Sequence, residues 1–111
     1  MSVKKSEIKI TVSLDENNLP VEMNWTATDA GINQEPCKAL ILSLWNEKEQ
    51  NTLRMDLWNK DMKVDEMKMF FHQTLLTLAD TFEKATGEKN ISEDLRDYCF
   101  HFAEKMNILP Q

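Results

Sequence analysis

The sequence predicts an α+β fold: a four-stranded antiparallel sheet made of two hairpins, followed by two C-terminal helices packed on one of its faces, in the order ββββαα. Three observations lead there. Apolar and polar residues alternate in three segments before Asn59, and after Val64 the apolar residues recur at helical spacing instead. At 111 residues, 41% hydrophobic and 29% charged, the chain fits one globular domain over residues 1–111 and has no room for a second.

Ile8, Ile10, Val12 and Leu14 alternate with Lys9, Thr11 and Ser13, the period of a strand buried on one face. Asp15 to Leu19 is polar and carries two asparagines before Pro20, which predicts a turn. Val21, Met23, Trp25 and Ala27 then alternate against Glu22, Asn24 and Thr26, so the two segments read as a hairpin. Residues 28–36, with Asp29, Gly31 and Asn33 and closed by Pro36, read as a long loop. Lys38 to Trp45 is a continuous apolar run that suits a central strand or a buried helix. Its neighbour decides for the strand: Leu53, Met55 and Leu57 alternate with Arg54 and Asp56 across a polar loop of hairpin length. Pairing across that loop sets Leu44 beside Leu53 and Ala39 near Trp58.

The first helix is expected over residues 65–86, with Asp65 as N-cap, Val64 and Met69 as a hydrophobic staple and Gly87 as the terminating residue. Met67, Phe70, Phe71, Thr74, Leu75, Leu78, Phe82 and Ala85 share one arc, which predicts a face buried on the sheet. Asn90 or Ser92 can cap a second helix, whose Leu95, Tyr98, Cys99, Phe102 and Met106 share a face and whose end is expected near Pro110.

Nineteen acidic residues against thirteen basic ones give a net charge of −6, and only Arg54 and Arg96 are arginines. An acidic chain without a basic cluster is poorly suited to nucleic acid or to an anionic membrane surface. No apolar run is long enough to span a bilayer, and residues 1–15 lack the unbroken apolar stretch of a leader. Direct membrane insertion is therefore not expected, and the cytoplasm is the expected compartment. Two cysteines, Cys37 and Cys99, read as reduced, buried thiols rather than a disulfide framework.

Residue patterns that carry chemistry are few. With Gly31 and Gly87 as the only glycines there is no glycine-rich phosphate loop, dinucleotide fingerprint or nucleophile elbow. Asp97 and His101 lie four apart on the second helix but lack a third ligand, so they read as a solvated pair. Asp61 with Asp65 could in principle share acid and base work, yet acidic residues in a first helical turn are accounted for by the helix dipole. Cys37 and His72 carry no sign of meeting. No catalytic, metal-binding or cofactor-binding residues are expected, and no cofactor.

The segments SEIKI and SLDENNLP, the Trp25 strand, LSLWNEKEQNTLRMDLWNKDM, and VDEMKMFFHQTL with LADTF together resemble the gliding-motility-associated GldC family. The resemblance runs through essentially the whole chain, and DLWNKDM with FFHQTL is its distinctive part. It implies a small protein that accompanies the gliding machinery, whose moving parts and adhesin secretion lie in the cell envelope. It implies no enzyme, and no family catalytic motif carries over.

Apolar surface remains unassigned. If the even-numbered leucines of Leu40 to Leu44 face the helices, then Ala39, Ile41, Trp45 and Trp58 lie on the opposite face of the sheet, where Arg54 and Asp56 also point. That face, with Ile41, Trp45, Trp58, Arg54 and Asp56, is the candidate partner-binding surface, for a protein of the gliding machinery or for a homodimer; the competing expectation is that residues 28–36 or the N-terminal residues fold over it. The Met69, His72 and Leu76 flank of the first helix is a secondary candidate surface. The expected function is a noncatalytic interaction protein of gliding motility. The alternative is a chaperone-like binder of an exported or membrane-bound component of the gliding or secretion machinery.

Overall fold

The structure, a computed structural model, describes residues 2–108. They form two compact units, one ending at Met62 and one beginning at Lys63.

The first unit contains five strands, β1 (Ile8–Leu14), β2 (Pro20–Ala27), β3 (Ile32–Cys37), β4 (Ala39–Asn46) and β5 (Asn51–Trp58). They make two antiparallel sheets, one ordered β1-β2-β3 and one of β4 with β5. The expected single four-stranded sheet is thus corrected to five strands in sheets of three and two, while both expected hairpins are present. In the first, Ile10 pairs with Trp25 and Val12 with Met23, so the alternating apolar residues share one face. The turn works as its asparagines predict. Asn18 takes the left-handed conformation, and the Asp15 carboxylate accepts the N–H groups of Asn17 at 2.8 Å and Leu19 at 3.0 Å.

The expected loop over residues 28–36 is the main correction. Thr28–Ala30 is a single 3-10 turn closed by Gly31 at φ 70°, and the chain then pairs with β2 as β3. Ser6 donates a hydroxyl hydrogen bond to the Asp29 carboxylate of that turn. β3 is an edge strand, the position in which a sheet tolerates Pro36. It is also irregular: its register with β2 shifts between Trp25 and Ala27, Gln34 sits at φ 51°, and the Gln34 N–H goes to the Thr26 hydroxyl at 3.0 Å. Lys38 alone separates β3 from β4, and its carbonyl accepts the Asn59 N–H at 2.9 Å, prolonging the β4–β5 ladder by one step. Met23, on the central strand of its sheet, is 1% exposed and is the largest fully buried side chain.

The second unit is a helical hairpin of α1 (Val64–Thr86) and α2 (Lys89–Met106). Helix α1 begins before the expected Asp65, with Lys63 as N-cap, because the Glu66 carboxylate reaches back to accept the Lys63 N–H at 3.0 Å. Val64 and Met69, the expected staple, are both exposed. Gly87 ends the helix in the left-handed conformation as expected, its N–H bonded to the Glu83 carbonyl at 2.7 Å. Neither Asn90 nor Ser92 caps α2. The cap position is Glu88, and the Ser92 hydroxyl donates back to the Glu88 carbonyl at 2.7 Å from inside the helix. Helix α2 closes on Asn107 at φ 57°, with the Ile108 N–H on the Ala103 carbonyl; Pro110, where the end was expected, lies outside the described residues.

Small buried side chains mark the seam between the helices: Ala79 on α1, and Ser92, Cys99 and Ala103 on α2. The predicted apolar arc of α1 divides. Met67, Phe70, Thr74 and Leu75 are half-buried, whereas Phe71, Leu78, Phe82 and Ala85 are exposed. Among the described residues no helix is long and apolar enough to cross a membrane.

Candidate functional site

The β4–β5 hairpin builds the face that the sequence singles out. Asn46 closes its turn by accepting the Glu49 N–H on its side chain at 3.0 Å and the Gln50 N–H on its carbonyl at 2.8 Å, with Gln50 left-handed at φ 53°. This turn fixes the register, and the expected pairs Leu44 with Leu53 and Ala39 with Trp58 are observed. Side chains of directly paired residues point the same way. One face therefore carries Ala39, Ile41, Ser43 and Trp45 from β4 with Thr52, Arg54, Asp56 and Trp58 from β5, and the other carries leucines and Met55, with the Asn46–Asn51 pair at the turn end.

All five residues of the primary candidate surface share the first face. Trp45 is 67% exposed, Trp58 53% and Ile41 37%. The tryptophans stand at opposite ends of the hairpin on different strands, and the charged residues lie between them on β5. Arg54 Nε approaches Asp56 Oδ2 at 3.8 Å, with the side chains 68% and 55% exposed. A contact that long between solvated side chains adds little to stability. The pair sets one positive and one negative group between the two exposed tryptophans. Ser43, Thr52, Arg54, Met55 and Asp56 line an open depression in the middle of the hairpin. Residues 28–36 do not cover the tryptophans, which are left 67% and 53% exposed, and Ile32–Cys37 instead pairs with β2 as β3.

Where the sheets meet, Ile8, Ile10, Trp25, Cys37, Ala39 and Leu40 line an apolar recess of about 190 Å³. It links the apolar face of the three-stranded sheet to the start of β4. Burial pushes the Cys37 thiol above its ordinary value, so at neutral pH it behaves as a small apolar side chain.

The secondary surface has a different character. The His72 ring stacks on Phe102 of α2, with centroids 6.2 Å apart and planes 14° from parallel. Leu76 is half-buried and only Met69 is exposed, so His72 belongs to the helix seam rather than to a free flank. The same seam carries a feature that sequence reasoning missed. Arg96 donates from Nε and Nη2 to Asp80 Oδ1 at 3.0 and 2.9 Å, and from Nη2 to Glu83 Oε1 at 2.9 Å. These bonds to Glu83 and Asp80 hold the guanidinium even more firmly protonated than usual. The available signal was Asp80 and Glu83 three apart on α1, with Arg96 as the lone arginine of α2. His101 lies against Tyr98, centroids 5.8 Å apart. Among the described residues no group of three or more His, Cys, Asp or Glu side chains could hold a metal ion.

Fold and face together define an α+β protein with an aromatic sheet surface centred on one loose ion pair. No curated protein and no solved structure matches the chain. Its sequence matches the family described as gliding motility-associated protein GldC-like over residues 20–108, most of its length, and the chain belongs to that family. Membership associates it with gliding motility.

Proposed function

We infer that this chain is a small, noncatalytic, cytoplasmic accessory protein of gliding motility that works by docking on another protein through the β4–β5 face. The observation that carries the reading is the exposure of Trp45 and Trp58 on a face that also presents Arg54, since tryptophan and arginine supply a large share of binding energy at protein interfaces. Family membership supplies the process, and the partner is accordingly sought among proteins of the gliding machinery.

The test is an affinity capture of tagged wild type and Trp45→Glu from native cells, with mass spectrometry and a circular-dichroism check of folding. Loss of a gliding protein from the folded variant supports docking through this face; the same gliding proteins with both, or none with either, overturns it. A second reading, a chaperone-like binder of an exported or membrane-bound component, draws on the exposed apolar side chains of α1, among them Phe71, Leu78 and Phe82. It predicts preference for one unfolded client over the assembled apparatus.

A further inference from the structure

The β4–β5 face is complementary to itself. Four cross-strand pairs tile it in order: Trp45 with Thr52, Ser43 with Arg54, Ile41 with Asp56, and Ala39 with Trp58. Consider a two-fold axis lying in the plane of the face, perpendicular to the strands, between the second and third pairs. It reverses the order along each strand, and the contact it makes is isologous. Trp45 then lies over Ala39 of a second copy, Trp58 over Thr52, Ile41 over Ser43 and Arg54 over Asp56, each contact made twice. Every bulky side chain meets a smaller one, and each charge meets its opposite. An axis parallel to the strands also places the tryptophans over Thr52 and Ala39. It leaves Arg54 over Ser43 and Asp56 over Ile41, however, with both charges desolvated and unpaired across the interface.

We propose that the occupant of this face is a second copy of the chain, docked antiparallel so that Arg54 of each copy meets Asp56 of the other. The proposal takes from the docking reading above that this face is an interface, and puts a second copy on it in place of a gliding protein. Charge favours it. The chain carries −6, so two copies repel over most of their surfaces, but the eight residues of this face hold one arginine and one aspartate and sum to zero. A basic partner drawn to an acidic protein finds no excess of carboxylates here. Geometry agrees. Arg54 and Asp56 are about 7 Å apart along the strand, one outward step, which puts the axis midway between them. The angle of about 30° between stacked sheets disturbs register least at the centre, where the charges sit. At their observed exposures the two tryptophans offer on the order of 300 Å² per copy, over a third of the roughly 800 Å² that each partner of a standard interface buries.

The experiment is sedimentation equilibrium of the full chain, as wild type, R54D, D56R and the R54D/D56R double reversal, with circular dichroism to confirm folding. Wild type is expected to dimerise with concentration. Each single reversal sets like charges against each other twice and is expected to weaken the dimer at least about tenfold, whereas the double reversal restores opposite charges and recovers it to within about threefold. A wild type that stays monomeric at high concentration, a dimer indifferent to R54D, or a double variant as weak as the singles overturns the proposal. A monomeric wild type whose Trp45→Glu variant still loses a gliding protein sinks the second copy and leaves the docking reading standing. A dimer rescued by the double reversal, with no gliding protein lost on Trp45→Glu, supports the second copy and sinks docking on the gliding machinery.

Discussion

Truncating Met23 to alanine measures how much the small core of the strand-rich unit contributes. Met23 lies on the central strand of its sheet, between Val12 on β1 and Cys37 on β3, and is 1% exposed. Removing a buried methionine side chain costs about 2–5 kcal/mol, the spread reflecting how far the surroundings collapse into the space. Val12 and Cys37 are only half-buried, so side chains or water can move in, and the expected cost is the lower part of that range, about 2–3 kcal/mol. Against a total stability of about 5–15 kcal/mol this is a large loss, and at roughly 4 °C per kcal/mol it lowers the midpoint by about 8–12 °C. Urea unfolding followed by tryptophan fluorescence reads it directly, because Trp25, Trp45 and Trp58 all precede Met62 and report on this unit. Met55→Ala is the internal control. Met55 is 50% exposed, about half of its surface is already in water, and the expected cost is under about 1 kcal/mol. Equal losses for the two variants would show that Met23 owes nothing to its burial and would refute the reasoning.

Two further outcomes are expected. Gly87→Ala should destabilise the helical hairpin by roughly 1 kcal/mol in a thermal melt followed by circular dichroism, because Gly87 sits at φ 75° with open space around an added Cβ and the cost is conformational alone; a several-fold larger loss would contradict the open turn. Burial raises both cysteine thiols, with the Asp80 carboxylate adding to the effect at Cys99. A folded value above the unfolded one means that the stabilisation is complete below the unfolded thiol range and is lost as pH rises through the folded value, so stability should fall on the alkaline side, above about pH 8.5. Alkylation should lag behind that of free cysteine, and more at buried Cys99 than at half-buried Cys37; equal labelling rates would count against it.

The strands that the sequence reveals are those whose side chains alternate. For β1, β2 and β5 a period of two was enough, and for the apolar run of β4 the hairpin loop after it supplied the answer and the register. β3 escaped because INQEPC carries no alternation and ends in a proline and a cysteine. What makes it a strand is backbone hydrogen bonding to β2 through a bulge, which leaves no periodic mark on the residues. The helix starts slipped for a related reason. Asp65 and Ser92 are good capping types, but Glu66 caps Lys63 from within the helix and Ser92 bonds backward to Glu88, so residue type alone points to the wrong position.

Which of the singled-out residues share a face was legible, whereas Ser43 and Thr52 beside them went unnamed and the cover of the face was not legible. Once Ala39 is opposite Trp58, parity alone places Ile41, Trp45, Arg54 and Asp56 beside Trp58, and no long-range information is needed. Whether residues 28–36 shield that face depends on their pairing with β2, a contact between distant parts of the sequence. His72 shows the same division. Its position on α1 followed from helical geometry, while its stacking on Phe102 depends on how two helices meet. A local trace of that meeting existed in Ser92, Cys99 and Ala103, small residues spaced seven and four apart on α2, which mark where another helix comes close. The β4–β5 face has no corresponding stripe of small residues. It alternates large with small along both strands, and that pattern, with Arg54 and Asp56 at its centre, is what a surface needs in order to fit its own copy reversed.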